Sequence, residues 1–276
     1  MTKRASILAV TSGKGGVGKT FFSANLATAL ARRGENVLVL DADLGLANLD
    51  VVLNLQPKIT LHDVFTGTAT LEEAVLAAPG GFSVLLAGSG LVEYSRLTPQ
   101  VREQLVEIID KLAPRFDRIL IDTGAGISDV VLHAISLADD VLVIATPEPT
   151  SMTDAYATIK LLATQQQRRG IRLVVNQVSV TGEGRTIKKQ LQLVVDRFVV
   201  PQLDDGRGAA VPLELMGEIP TDPAVRDAVK RRGLLLEITP GSPAASAVIA
   251  IATRFAGEKA IAAAAAVKAQ AVSRLA

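Results

Sequence analysis

Gly13-Lys14-Gly15-Gly16-Val17-Gly18-Lys19-Thr20 decides the fold. Its spacing, G-x-x-x-x-G-K-[ST], is that of a loop whose backbone N–H groups turn inward and form a concave anion site. Glycines suit such a loop because the backbone must approach phosphate closely and adopt angles that a Cβ forbids. Lys19 supplies a charge for the β- and γ-phosphates, and Thr20 a hydroxyl for Mg²⁺. Ser6-Ile7-Leu8-Ala9-Val10-Thr11 before the loop is the apolar run of a buried parallel strand. After it, Phe21 to Arg33 reads as a helix with a basic last turn and a stop at Gly34. That helix points its positive end at the same anion. Lys14 is an additional cation. A surface lysine and a charge delivered to the nucleotide of a neighbouring subunit both remain open, since spacing does not choose between them.

Outward from the loop, strand-like runs alternate with helical patterns. Strands are expected at 7–12, 36–41, 83–87, 117–122, 140–146 and 171–176, with a short one near 214–217. Helices are expected near 20–33, 99–112, 130–138, 150–168 and 187–199. The alternation predicts an α/β fold, a doubly wound and mostly parallel sheet with helices on both faces. Several strands end on a polar residue, namely Ser12, Asp41, Asp122, Thr146 and Asn176. In such sheets ligands bind beyond the carboxyl ends of the strands, so the loop, the acids and the asparagine should gather at one edge.

The chain has 276 residues, 49% of them hydrophobic and 21% charged, enough for a sizeable core. A net charge of +1 gives no global attraction to nucleic acid. With no cysteine, disulfides and thiolate metal sites are excluded, which fits a cytoplasmic protein. Met1-Thr2-Lys3-Arg4 leads straight into the first strand, leaving no room for a signal peptide. No run of about 18 strongly apolar residues predicts a membrane-spanning helix. Gln202–Gly208 reads as a polar loop. After Pro243 the sequence turns alanine-rich, and the chain divides into a nucleotide-binding domain, 1–255, and a C-terminal helix or tail, 256–276.

Two acids complete the nucleotide set. Asp41-Ala42-Asp43 closes the second strand opposite the glycine loop, where a carboxylate can hold Mg²⁺ through water or orient an attacking water. Asp41 or Asp43 alone would also serve as a cap or turn residue. Asp122 closes Arg118-Ile119-Leu120-Ile121, an apolar strand ending on an acid, which is the second Mg²⁺-holding position. Thr123-Gly124-Ala125-Gly126 then reads as a flexible loop that senses the γ-phosphate.

The loop with its early lysine resembles the deviant Walker A motif of the MinD/ParA family of P-loop ATPases, of the SIMIBI type. The stretches 41–50, 146–156, 217–229 and 242–246 are similar to the flagellar-number regulators FlhG and FleN within that family, and the likeness covers roughly residues 4–255. The resemblance implies ATP and ADP as ligands, with Mg²⁺, and a homodimer in which Lys14 crosses to the partner's ATP. It implies Asp43 as the hydrolytic switch residue and Asp122 as the Mg²⁺-linked aspartate. Asn176 would read adenine, Pro220 and Asp222 would flank the base, and Glu148 would contact ribose across the dimer. The implied role is spatial and numerical control of flagellum biosynthesis. Implied partners are a signal-recognition-type GTPase (FlhF), a flagellar transcription regulator and C-ring or switch components.

Two departures stand out. A glutamine-containing N-terminal extension that stimulates a partner GTPase has no counterpart in the about five residues before the first strand. The tail spreads Phe255, Ile261, Val267, Val272 and Leu275 among alanines, with Lys259, Lys268 and Arg274, so its apolar face for a membrane is weak. Rival readings are a chromosome or plasmid partition ATPase, a division-site regulator, a metabolic or metallocluster-carrying P-loop protein, and a binding module without turnover.

Overall fold

A computed structural model describes residues 4–44, 48–88, 98–203 and 210–273, with side chains as far as residue 258. The readings made for 1–3, 45–47, 204–208 and the side chains of 259–276 lie outside the described residues. The elements run β1 (Ser6–Ser12), α1 (Lys19–Ala31), β2 (Val37–Ala42), α2 (Leu49–Leu53), α3 (Leu61–Phe65), α4 (Leu71–Ala74), β3 (Val75–Ala77) and β4 (Ser83–Leu85). They continue with α5 (Pro99–Leu112), β5 (Arg118–Ala125), α6 (Asp129–Ser136), β6 (Asp140–Ala145), α7 (Pro149–Gln165) and β7 (Ile171–Val178). Last come α8 (Glu183–Phe198), a 3₁₀ turn (Val200–Gln202), β8 (Leu213–Pro220), α9 (Pro223–Lys230), α10 (Leu235–Ile238) and α11 (Pro243–Ser273).

The strands form a sheet in the order β3-β4-β2-β5-β1-β6-β7-β8. Every neighbouring pair is parallel except β3 with β4. Alternation along each strand divides the core into two layers. Ile7, Leu40, Ile121 and Val143 face the layer closed by α5 to α8, while Leu8, Val39, Leu120 and Leu142 face α1 and α9 to α11. Both faces of the central strands are buried, which is why their sequences are nearly continuous apolar runs.

This topology confirms the doubly wound expectation and moves some boundaries. β5 continues through Thr123, Gly124 and Ala125, where a flexible loop was expected. The Thr123 hydroxyl donates to the Val10 carbonyl (3.2 Å), and Gly126 N–H donates to the Ser12 carbonyl (2.9 Å), so this segment is tied to β1. A register shift between Val10 and Ser12 accommodates the added residue. α8 starts at Glu183 rather than Ile187, after Gly182 in the left-handed region. β3 and α2 to α4 have three to five residues each, too short to show a period in sequence.

The far end of the sheet anchors α11. Arg118, 3% exposed, pairs with Glu35 at 3.1 Å and lies 5.7 Å from the centre of the Phe255 ring. Arg172 sits 5.0 Å from the same ring, within cation–π range. The helix then runs on to Ser273 without interruption. Among the described residues no helix is long and apolar enough to cross a membrane.

Candidate nucleotide site

Beyond the carboxyl edge of β1, β2 and β5 lies a cleft of about 400 Å³, lined in part by Gly15, Gly16, Lys19, Thr20, Asp43 and Gly124. Two glycines show why the loop has its sequence. A Cβ on Gly13 would fall 2.2 Å from the backbone carbonyl of Asp154, so α7 can approach only a glycine. Gly18 sits at φ 93°, and a Cβ there would lie 2.6 Å from Asn176 Nδ2. The position a Cβ of Gly15 would take has nothing within 4 Å, so it opens into the space left for an anion. Val17 is buried, and its carbonyl accepts from Asn176 Nδ2 at 2.8 Å. The loop is thus fastened to the end of β7.

Lys19 and Thr20 open α1 with Gly18 as the preceding cap. Burial lowers the Lys19 pKa, opposed by the charges of Asp122 and then Asp43. Behind the cleft, Asp122 is 1% exposed and accepts from Ser23 Oγ at 2.8 Å and from the Thr20 hydroxyl. Burial raises its pKa to about 6, against the pull of Thr20, Lys19 and Ser23. Asp41 pairs in register with Asp122 on the neighbouring strand. Its Oδ1 accepts from Asp43 N–H at 3.1 Å, and its Oδ2 is buried without a hydrogen-bond partner. Burial first, then the charge of Asp122, pushes its pKa well above the carboxylate range. An orphaned buried oxygen beside a carboxylate is the environment of a protonated acid, or of one awaiting a cation.

These groups fit a magnesium triphosphate. The open concavity at Gly15 and Gly16 accepts an anion, and the hydroxyl of Thr20 with the carboxylates of Asp43 and Asp122 offers the hard oxygens that Mg²⁺ prefers. Among the described residues no cluster of three or more histidine, cysteine or acidic side chains converges as a resident metal cage.

A second cavity shares Gly16 with the first and is lined by Gly18, Asn176, Pro220 and Asp222 among others. Asn176 spends one amide proton on Val17 and accepts from Gln177 N–H at 2.9 Å, leaving a second proton and a lone pair. Asp222 caps two helices at once, accepting from Ala224 N–H (2.9 Å) and Ala244 N–H (3.0 Å). Lys14 and Glu148 belong to neither cavity. Lys14 Nζ lies 2.7 Å from Glu148 Oε2 and 3.1 Å from Thr150 Oγ1, at the start of α7. The structure therefore gathers Gly15, Gly16, Lys19, Thr20 and Asp43 in one cleft with Asp122 behind it, groups Asn176, Pro220 and Asp222 in another, and leaves the Lys14–Glu148 pair outside both. Ser23 was not foreseen. Its signal was the four-residue spacing from Lys19, which puts both on one helix face.

The family model described as ParA, NUBPL iron-transfer P-loop NTPase, matches residues 3–256. The chain is a member of the ParA family. The antiactivator FleN of Pseudomonas aeruginosa is 42% identical over 90% of this chain and 85% of its own length. The flagellum site-determining protein YlxH of Helicobacter pylori is 32% identical over 84% of this chain and 76% of its own. The cell-division ATPase MinD of Pyrococcus furiosus superposes with a TM-score of 0.72 at 28% identity, covering 92% of this chain and 99% of that one. MinD of Pyrococcus horikoshii, solved with Mg-ADP, gives 0.71 at 27% identity over 91% and 96%. Within the ParA family the chain thus stands in the MinD/ParA group with the flagellar regulators, and it is a P-loop ATPase of that family.

Proposed function

We propose that this ParA-family chain is a magnesium- and ATP-dependent switch that dimerises with ATP, hydrolyses it slowly, and regulates where and how many flagella are built. The observation that carries the reading is the direction of Lys14. A lysine on the phosphate loop points away from its own cleft and rests on the surface against Glu148, where a second copy can meet it. In the dimer Lys14 would leave Glu148 for the partner's phosphates, and Glu148 would contact the partner's ribose. Both groups are part-exposed, so their ion pair contributes only about 0.2–1 kcal/mol and yields readily.

Within one subunit, Lys19 and the loop N–H groups would hold the β- and γ-phosphates. Mg²⁺, held by Thr20 with Asp43 and Asp122, would neutralise charge developing on the transferred phosphoryl group. Asp43 would orient the attacking water, and Asn176 would read the adenine edge while Pro220 and Asp222 flank it. The γ-phosphate would favour the dimer through contacts made only in that state, supplying the differential affinity that a switch needs. The output would be capture or release of protein partners, a signal-recognition-type GTPase, a flagellar transcription regulator or components of the flagellar switch. The chain would act in the cytoplasm, with peripheral contact at the inner face of the membrane through residues 256–276. Likeness to FleN and YlxH supports the flagellar assignment over division-site or partition roles.

Phosphate release, measured together with ATP affinity, tests the enzymatic half. Asp43→Ala is expected to keep ATP binding and lose about 100-fold or more in turnover, the order of a positioned catalytic group. Equal turnover in the variant removes Asp43 from the mechanism.

A further inference from the structure

The second cavity, about 360 Å³, has walls that the triphosphate and its metal do not explain. α9 has eight residues, and only Ala228 among them is fully buried. Val225, Arg226 and Val229, at i, i+1 and i+4, line the cavity, Val225 while also packing on the core. An amphipathic helix ordinarily spends its apolar stripe on the core, yet Val229 is 52% exposed. A lone exposed valine means little. Here, however, an aromatic ring joins it from another element. Phe21, the second residue after Lys19, is half-buried and lines the same space, next to Gly16, Gly18 and Asn176. An aromatic ring, a guanidinium and two valines therefore border one cavity that opens off the phosphate loop. Asp222 also lines it, but its two carboxylate oxygens are taken by the backbone N–H groups of Ala224 and Ala244, whereas Asp43 lines the other cleft. Such a lining suits a flat group with π faces and few charges.

We infer that Phe21 and Arg226 are base-holding residues: the Phe21 ring packs against the sugar–base end of the bound nucleotide, the Arg226 guanidinium lies on the base plane, and Val225 and Val229 form its apolar floor. Asn176 reads the edge of the base, whereas these residues grip its face, so they add affinity for any purine and leave the choice between purines to the asparagine. This rests on the reading of the site as an ATP site.

Calorimetric titration with ATP and with inorganic tripolyphosphate, both with Mg²⁺, tests it. Phe21→Ala and Arg226→Ala should each weaken ATP by about 5- to 100-fold, the range for loss of one stacking partner, while tripolyphosphate binds as to wild type. Arg226 is exposed, so its removal leaves the fold intact. The chain has no tryptophan. Phe21→Trp therefore installs a sole reporter, which should keep ATP affinity and change its fluorescence with ATP but not with tripolyphosphate. Unchanged ATP affinity in both alanine variants, or equal losses for the two ligands, overturns the inference. A wild type that binds neither ligand overturns instead the ATP-site reading beneath it.

Discussion

At the scale of single residues, the site sets buried acids against one buried lysine. Asp122 is the acid whose cost can be measured. Its carboxyl titrates near 6 in the fold against 3.8 in an unfolded chain. A carboxyl raised in this way contributes most stability when protonated, and that contribution is lost as pH rises from about 4 to about 6. The full shift corresponds to up to roughly 3 kcal/mol. Asp122→Asn should therefore stabilise the nucleotide-free protein at pH 7, and its advantage over wild type should shrink as pH falls toward 4. Thermal melts across that range check this, and a constant difference would assign the stabilisation to something other than the charge. The glycines make a second contrast. Gly13→Ala drives a methyl into the Asp154 backbone, which cannot rotate away, and should cost about 1–3 kcal/mol or more. Gly15→Ala has open space, so it should leave the melting temperature of the free protein unchanged and weaken ATP by filling the anion site. Melts and ATP titrations of the two variants separate these roles. The loop was legible in sequence because its backbone geometry dictates residue type. Asp41 was not, because in Asp-x-Asp only the pairing of β2 with β5 decides which carboxylate is buried beside Asp122.

At the scale of elements, the central strands and long helices followed from their patterns, continuous apolar runs in the doubly buried strands and longer apolar runs bounded by stop signals in the helices. What escaped was short or set by tertiary contact. The last residues of β5 are held by Val10 and Ser12 of β1, a constraint absent from the local sequence of Thr123-Gly124-Ala125. The alanine-rich α11 gave no indication that Phe255 is clasped between Arg118 and Arg172. Phe255 is 1% exposed, and Phe255→Ala should cost about 3–5 kcal/mol in chemical denaturation. That cost would also loosen the seat of α11 on α1 and β8. A cost under about 1 kcal/mol would mean that α11 contributes little to the fold.

At the scale of the whole molecule, the sheet puts the phosphate loop, the acids and the cavity at Asn176 on one edge, and Lys14 and Glu148 lie on the same edge outside both cavities. On the proposed reading, one subunit holds the nucleotide with its own loop, acids and asparagine. What it leaves unused is a lysine facing away from its own cleft, to which ATP would bring a second copy. Sedimentation velocity on Asp43→Ala, which should retain ATP unhydrolysed, tests this most directly. Mg²⁺ and ATP should give a dimer, Mg²⁺ and ADP a monomer, and either nucleotide a monomer once Lys14→Ala is added. The same mass with ATP and ADP, or a double variant that dimerises as well as the single one, would contradict it.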